Sequence, residues 1–350
     1  MQGAAVWAIP RAARRTGVGL RLRGRTLKNV YTGLVGDIGG THARLAMVDE
    51  EGHIRHPVTF EECNYPSLTD VIATYLEKTL GRKRPERAVL AVAGPVVDGE
   101  IQFTNNSWRA SEGELFVAFE FESVRLINDF AAQALAAPLL PADTLRRIGP
   151  DLRGADLAPL VVMGAGTGFG VAGLARSNRG DVEVAGEGGH GAFAPSDDTE
   201  VEILRILSQR FGRTSIERIL SGPGLHNLYS ALAAIRGVPA TLADEAAVTA
   251  AAETGDALAN ETLDRFCAIL GSVAGDLALT FGARGGVFIS GGLAPRMADR
   301  LASGGFRSRF EAKGRMSAFM AEIPTTLIQH PYAALVGAAR ALKRPAVGVR

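Results

Sequence analysis

Apolar residues along this chain arrive in short runs broken by glycine, and the first such run begins at Tyr31. Leu34-Val35-Gly36-Asp37-Ile38 reads as a buried strand, Gly39-Gly40-Thr41 interrupts it, and Arg44-Leu45-Ala46-Met47-Val48 resumes. Asp49-Glu50-Glu51-Gly52 predicts a second turn into a strand near Val58-Thr59-Phe60. Ser67, with Asp70 three residues later, has the form of a capping box opening a helix that runs through Leu80. Residues 88–93 are almost wholly apolar, as expected of a strand buried on both faces. Another short strand, Val124-Arg125-Leu126-Ile127, gives way at Asn128-Asp129 to a helix from about Phe130.

After a loop rich in Pro, Gly and Asp (138–159), the pattern returns. Leu160-Val161-Val162-Met163 reads as a strand, Gly164-Ala165-Gly166-Thr167-Gly168 as a glycine turn, and residues 169–174 as a second strand. The unit strand–glycine turn–strand thus occurs once in each half, a duplication of architecture rather than a short-period repeat. Helices are predicted at about 197–210, 214–220, 243–254 and 257–281, and a strand at residues 286–290, followed by Gly291-Gly292 and a helix. A last strand near 325–328 leads to a helix over 332–342. Strands and helices alternating in both halves predict an α/β fold with two lobes. Residues 31–138 with 331–350 are expected to form the smaller lobe and residues 139–330 the larger.

Length supports that division, because 350 residues exceed what one hydrophobic core usually organises. No apolar run reaches 18 residues, so no membrane helix is indicated. Cys63 and Cys267 are far apart and lack CxxC spacing, which argues against a disulfide framework or structural zinc and fits a cytoplasmic protein. The net charge of +1 conceals an asymmetry: residues 1–30 hold seven basic residues and no acid, and the remainder carries −6. That extension is expected to be an over-extended translation start, a disordered tail or, given its Arg-rich composition, a targeting segment. The mildly acidic remainder lacks the basic excess that nucleic-acid binding needs.

Two glycine turns carry candidate chemistry. In Gly36-Asp37-Ile38-Gly39-Gly40-Thr41, consecutive glycines let backbone N–H groups approach an anion, and the preceding carboxylate suits Mg²⁺ held through its waters. A plain hairpin would have the same form. Gly164-Ala165-Gly166-Thr167-Gly168 repeats the device. Neither cluster is followed by the Lys of a P-loop, and both lead back into strands, whereas a dinucleotide fingerprint opens a helix. Two such clamps in separate lobes suggest a nucleotide.

Together with Gly286-Val287-Phe288-Ile289-Ser290-Gly291-Gly292-Leu293-Ala294-Pro295-Arg296, these segments resemble the phosphate and adenosine motifs of the actin/hexokinase-like ATPase superfamily. Thr104-Asn105-Asn106-Ser107-Trp108, Leu126-Ile127-Asn128-Asp129-Phe130, Gly186-Glu187-Gly188-Gly189-His190 and Glu217-Arg218-Ile219-Leu220-Ser221-Gly222-Pro223-Gly224 narrow the resemblance to the bacterial glucokinase family, in order and across about 31–342. The resemblance implies two lobes of ribonuclease H-like fold with a cleft between them, ATP and Mg²⁺ as cofactors, glucose as substrate and a homodimer. It implies that Asp129 is the catalytic base and that Asn105, Asn128, Glu187, His190 and Glu217 face the sugar. Asp37, Gly39, Gly40, Thr41, residues 164–168, Gly291 and Gly292 would hold the nucleotide, with Asp37 reaching Mg²⁺ through water. A hexose offers only hydroxyls, so a selective pocket needs fixed donors and acceptors of this kind. Asn128-Asp129 would also serve as an ordinary helix cap. The related ROK group carries a cysteine cluster after its histidine, but here Gly191-Ala192-Phe193-Ala194-Pro195 follows His190, so no zinc and no DNA binding are expected. A kinase for another hexose, or an inactive sugar sensor, are the alternatives.

Overall fold

The short apolar runs form strands in a computed structural model that describes residues 31–80, 85–103 and 107–344. The extension 1–30 and Asn105 lie outside the described residues. In chain order the first half forms β1 (Tyr31–Ile38), β2 (His42–Asp49), β3 (Ile54–Glu61), α1 (Leu68–Leu80), β4 (Arg87–Val92), β5 (Glu100–Gln102), β6 (Arg109–Ser111), α2 (Glu112–Phe119), β7 (Ser123–Asn128) and α3 (Asp129–Ala136). Next come β8 (Leu145–Ile148), β9 (Leu160–Ala165), β10 (Phe169–Ala175), β11 (Val182–Gly186), α4 (Asp198–Phe211), α5 (Gly222–Arg236), α6 (Glu245–Glu253) and α7 (Ala257–Phe281). The chain closes with β12 (Gly286–Ser290), α8 (Ala298–Ala302), α9 (Gly305–Glu311), α10 (Ser317–Ala321), β13 (Thr325–Ile328) and α11 (Ala333–Leu342). It divides into two compact units, one running to Leu140 and taken up again from Tyr332, the other spanning Pro141–Pro331.

The first unit's main sheet has the order β3-β2-β1-β4-β7, in which β1, β2 and β3 are antiparallel and β4 and β7 run parallel to β1. The second unit's sheet has the order β11-β10-β9-β12-β13-β8. Here β9, β10 and β11 are the antiparallel set, β12 and β13 run parallel to β9, and β8 adds an antiparallel edge. Each unit is therefore a three-strand meander extended by two parallel strands, and in each the glycine turn joins the first two strands.

Alternation along β1 and β2 places Leu34, Ile38, Leu45 and Met47 in one core with Val71, Ile72, Tyr75 and Leu76 of α1, all essentially fully buried. Ser67 accepts a hydrogen bond from the Asp70 N–H, as the capping pattern predicts. Helix α11 returns from the far end of the sequence to pack on α3, β1 and β4. A Cβ on its Gly337 would overlap the Ala132 carbonyl of α3, so the two helices meet backbone to backbone there. In the second unit, Val161, Met163, Val287 and Ile289 of the sheet pack with Phe266, Leu270 and Val273 of α7 and Leu225 and Leu228 of α5.

Residues 214–220, expected as a helix, hold only a 3₁₀ turn over Ile216–Arg218. The helix is α5, just beyond, where Ser221 accepts from the Gly224 N–H at 3.0 Å and Pro223 occupies the first turn. Both residues favour helix starts, but the surrounding Gly-Pro-Gly resembles a break in the sequence. The loop expected over 138–159 contains β8. Among the described residues no helix is long and apolar enough to cross a membrane.

Cys63 is exposed and Cys267 is buried. Burial pushes the Cys267 thiol up to about 12. Since the thiolate is the reactive form, a chromogenic disulfide reagent should titrate one thiol per native chain and two after denaturation. Two fast-reacting thiols in the native protein would contradict this burial.

Candidate functional site

In the first unit, the candidate residues cluster at the carboxyl ends of the parallel strands, where open α/β sheets usually bind ligands. Ile38, Val92 and Asn128, the last residues of β1, β4 and β7, lie in register. They span two strand spacings, about 10 Å. The turn after β1 is closed by the Gly39 N–H donating to the His42 carbonyl at 3.1 Å, and the Thr41 carbonyl accepts from the Glu62 N–H at 3.0 Å. Asp37 stands opposite Arg44 across the hairpin, and Arg44 Nη1 donates to Asp37 Oδ2 at 2.9 Å. Burial holds the Asp37 carboxyl above the usual carboxylate range, with the Arg44 guanidinium pulling against it.

Asn128 ends β7 and caps α3, its Oδ1 accepting from the Ala131 N–H at 3.0 Å. Its Nδ2 donates to the Gly94 carbonyl at 3.3 Å and to Asp129 Oδ1 at 3.1 Å. Asp129, the first residue of α3, also accepts from the Phe130 N–H at 2.9 Å. The capping role is thus real, and it orients a carboxylate at the positive end of a helix. Beside the first turn lies a cavity of about 490 Å³ lined by Gly40, Thr41, His42, Glu61, Glu62, Cys63, Tyr65, Pro66, Ser107 and Trp108.

In the second unit, the turn after β9 is closed by the Gly166 N–H donating to the Gly168 carbonyl at 2.8 Å. A Cβ on Gly164 would overlap the Ser290 carbonyl of β12, and one on Gly291 (φ +85°) would overlap the Ala165 carbonyl. Glycine at both places lets the turn after β9 and the turn after β12 touch through their backbones. The Leu293 N–H completes the junction by donating to the Ala165 carbonyl at 3.2 Å. Gly164 and Ala165 therefore pack directly on Ser290, Gly291 and Leu293, which sets the 166–168 turn and Gly292 on either side of one backbone junction.

Glu187 precedes a 3₁₀ turn over Gly188–His190, and the His190 ring lies 3.9 Å from the Glu187 carboxylate with both side chains at least half exposed. The next residues dock onto the Glu217 segment, since Ala192 bridges Ser215 and the Ile216 N–H donates to the Gly191 carbonyl at 2.9 Å. Arg213 Nη1 fastens the His190 carbonyl at 2.8 Å. Downstream, the wholly buried Glu200 accepts from Arg309 Nη2 at 2.9 Å and from the Ser196 N–H at 2.8 Å, anchoring this stretch to α9. Glu217 Oε2 accepts from the Phe169 N–H at 2.8 Å, directly after the glycine turn. The unit thus brings Glu187, His190, Glu217 and the 164–168 turn into one neighbourhood.

Motif reading alone does not bring out Arg44, Arg213 or the Phe169 N–H. Arg44 has a signal, because a tight hairpin places it opposite Asp37. Arg213 and Phe169 have none, since each acts on a residue distant in sequence.

A family model described as Glucokinase matches residues 34–345. The chain is 51% identical over 319 residues to a glucokinase of Caulobacter sp. strain K31, across 90% of this chain and 96% of that protein. It is 44% identical to a glucokinase of Chromohalobacter salexigens, across 88% of this chain and 97% of that one. Among solved structures, a glucokinase from an Antarctic psychrotroph superposes with a TM-score of 0.80 at 40% identity, over 89% of this chain and 98% of that chain. A ROK family glucokinase from Streptomyces griseus, in complex with glucose and AMPPNP, gives a TM-score of 0.60 at 20% identity over 88% of this chain and 98% of that one, a likeness of fold.

Proposed function

Since the chain belongs to the glucokinase family, which has the actin-like ATPase fold, we propose that it transfers the γ-phosphoryl group of ATP to the 6-hydroxyl of D-glucose. The products are ADP and glucose 6-phosphate. The observation that carries this reading is the Asp129 carboxylate, held at the start of α3 by Asn128 Nδ2 and the Phe130 N–H, in a chain 51% identical to a glucokinase.

Asp129 accepts the 6-hydroxyl proton as that oxygen bonds to the γ-phosphorus and the bond to the ADP oxygen breaks. Asn128 fixes the carboxylate and, with Asn105, Glu187, His190 and Glu217, offers donors and acceptors to the sugar hydroxyls. Gly40 and Thr41, in the turn that the Gly39 N–H closes, and Thr167 and Gly168, in the turn that the Gly166 N–H closes, offer backbone N–H groups to the phosphates, with Gly164 and Ala165 supporting the second turn from β9, and Gly291 and Gly292 accommodate the adenosine. Asp37, whose Oδ2 is engaged by Arg44, would hold Mg²⁺ through water, and the ion would supply charge neutralisation at the phosphates. The protein acts in the cytoplasm as a homodimer, a state that sedimentation of the purified chain tests.

Release of ADP from Mg-ATP is measured with and without glucose, then with a panel of other hexoses. Glucose-dependent turnover, with the highest kcat/KM for glucose, is expected. Sugar-independent release, or a higher kcat/KM for another hexose, would overturn the assignment. Glu187→Gln, which removes a charged partner for a hydroxyl, should raise the glucose KM by roughly tenfold or more. An unchanged KM would take Glu187 out of the sugar site.

A further inference from the structure

Glu217 has two attachments that sugar recognition alone does not require. Its Oε2 accepts from the Phe169 N–H at 2.8 Å, and a Cβ built on Gly168 would stand 2.6 Å from the same oxygen. A second link runs parallel to the first, from the Gly222 N–H to the Gly166 carbonyl at 2.8 Å. Between the two, Ser221 Oγ donates to the Glu217 carbonyl at 2.8 Å while accepting from the Gly224 N–H, so residues 217–224 form a braced segment. The glycine turn is thus pinned at both ends by the segment that carries Glu217.

We propose that Glu217 is a positioning residue for the nucleotide as well as a sugar partner: its carboxylate sets the 166–168 turn for phosphate binding and couples that turn to sugar occupancy. The inference rests on the glucokinase reading for the identity of the two ligands. One oxygen on the Phe169 N–H leaves the other for a sugar hydroxyl. A sugar that orders the carboxylate therefore also orders the turn, and by linkage a nucleotide that orders the turn favours the sugar to the same degree. A Cβ at position 168 would crowd Glu217 Oε2, so the carboxylate would have to shift from its present place.

The test measures binding of Mg-AMPPNP with no sugar present, so that loss of the sugar contact cannot confound it. Glu217→Ala should weaken binding by about fivefold or more, the lower end of measured couplings. Glu217→Gln keeps an amide oxygen for the Phe169 N–H and should stay within about twofold of the natural protein. Wild-type affinity in Glu217→Ala overturns the proposal. Tighter binding in both variants also overturns it, because carboxylate–phosphate repulsion would then outweigh the positioning. If Glu217→Ala fails to fold, Gly168→Ala probes the same link from the other side: its glucose Kd without nucleotide should rise about fivefold or more, and an unchanged value refutes the coupling. A natural protein that binds no glucose would sink the functional reading itself, a result independent of the nucleotide measurements.

Discussion

Asp129→Ala is expected to lower kcat by about 10²–10⁴, the usual contribution of a general acid–base group, while glucose affinity changes far less. The substitution removes the proton acceptor but leaves the local structure supported. Asn128 keeps its cap on the Ala131 N–H and its bond to the Gly94 carbonyl, so the β7–α3 junction survives. Asp129→Asn should lose a similar factor, because an amide can hold the Phe130 N–H yet cannot take the hydroxyl proton. Steady-state kcat, read beside calorimetric glucose binding, separates a chemical defect from a binding defect. Turnover near that of the natural protein in either variant would remove Asp129 from the catalytic role.

Gly337→Ala should produce the largest loss of stability. The added methyl overlaps the backbone carbonyl of Ala132, which no side-chain rotation can clear, so α11 and α3 must separate. Overpacking a close contact typically costs about 1–3 kcal/mol, and a backbone collision belongs at or above the top of that range. Because Asp129 begins α3, displacement of the helix should also reduce kcat in whatever fraction stays folded. Thermal unfolding and activity are measured on the same sample. An unchanged midpoint would mean that the helices are not packed as closely as described.

Much of this architecture was legible because short apolar runs bounded by glycine or proline admit few readings. Gly286–Ser290 and Thr325–Ile328 are strands with the bounds the sequence suggests, and the long periodic run of α7 is a helix over 257–281. Strands β5, β6 and β8 are short and mostly polar, so neither an apolar run nor a periodicity registers there, unlike in the four-residue strand Thr325–Ile328, which is buried throughout. Helix α5 was hidden because Gly222-Pro223-Gly224 looks like a break, although proline in the first turn after a serine cap is a normal start. At the candidate site, motifs pointed to individual residues but not to what holds them. The bond from Phe169 to Glu217 crosses 48 residues, and no local pattern encodes a contact at that separation. The Asn128–Asp129 pair shows the opposite case, where cap and candidate base are neighbours and a short motif displays both.

The return of α11 to the first unit also governs how the protein can be made. On the ribosome the strands β1, β4 and β7 emerge early, yet the helix that packs on β1 and β4 is the final described element of the chain. The continuous stretch Pro141–Pro331 holds every strand of its own sheet without α11, whereas the earlier sheet keeps one strip uncovered until α11 has been made. Released chains truncated before Tyr332 should therefore protect the later-made unit from protease while leaving the first-made one cleavable, an inversion of the usual order in which N-terminal regions mature first.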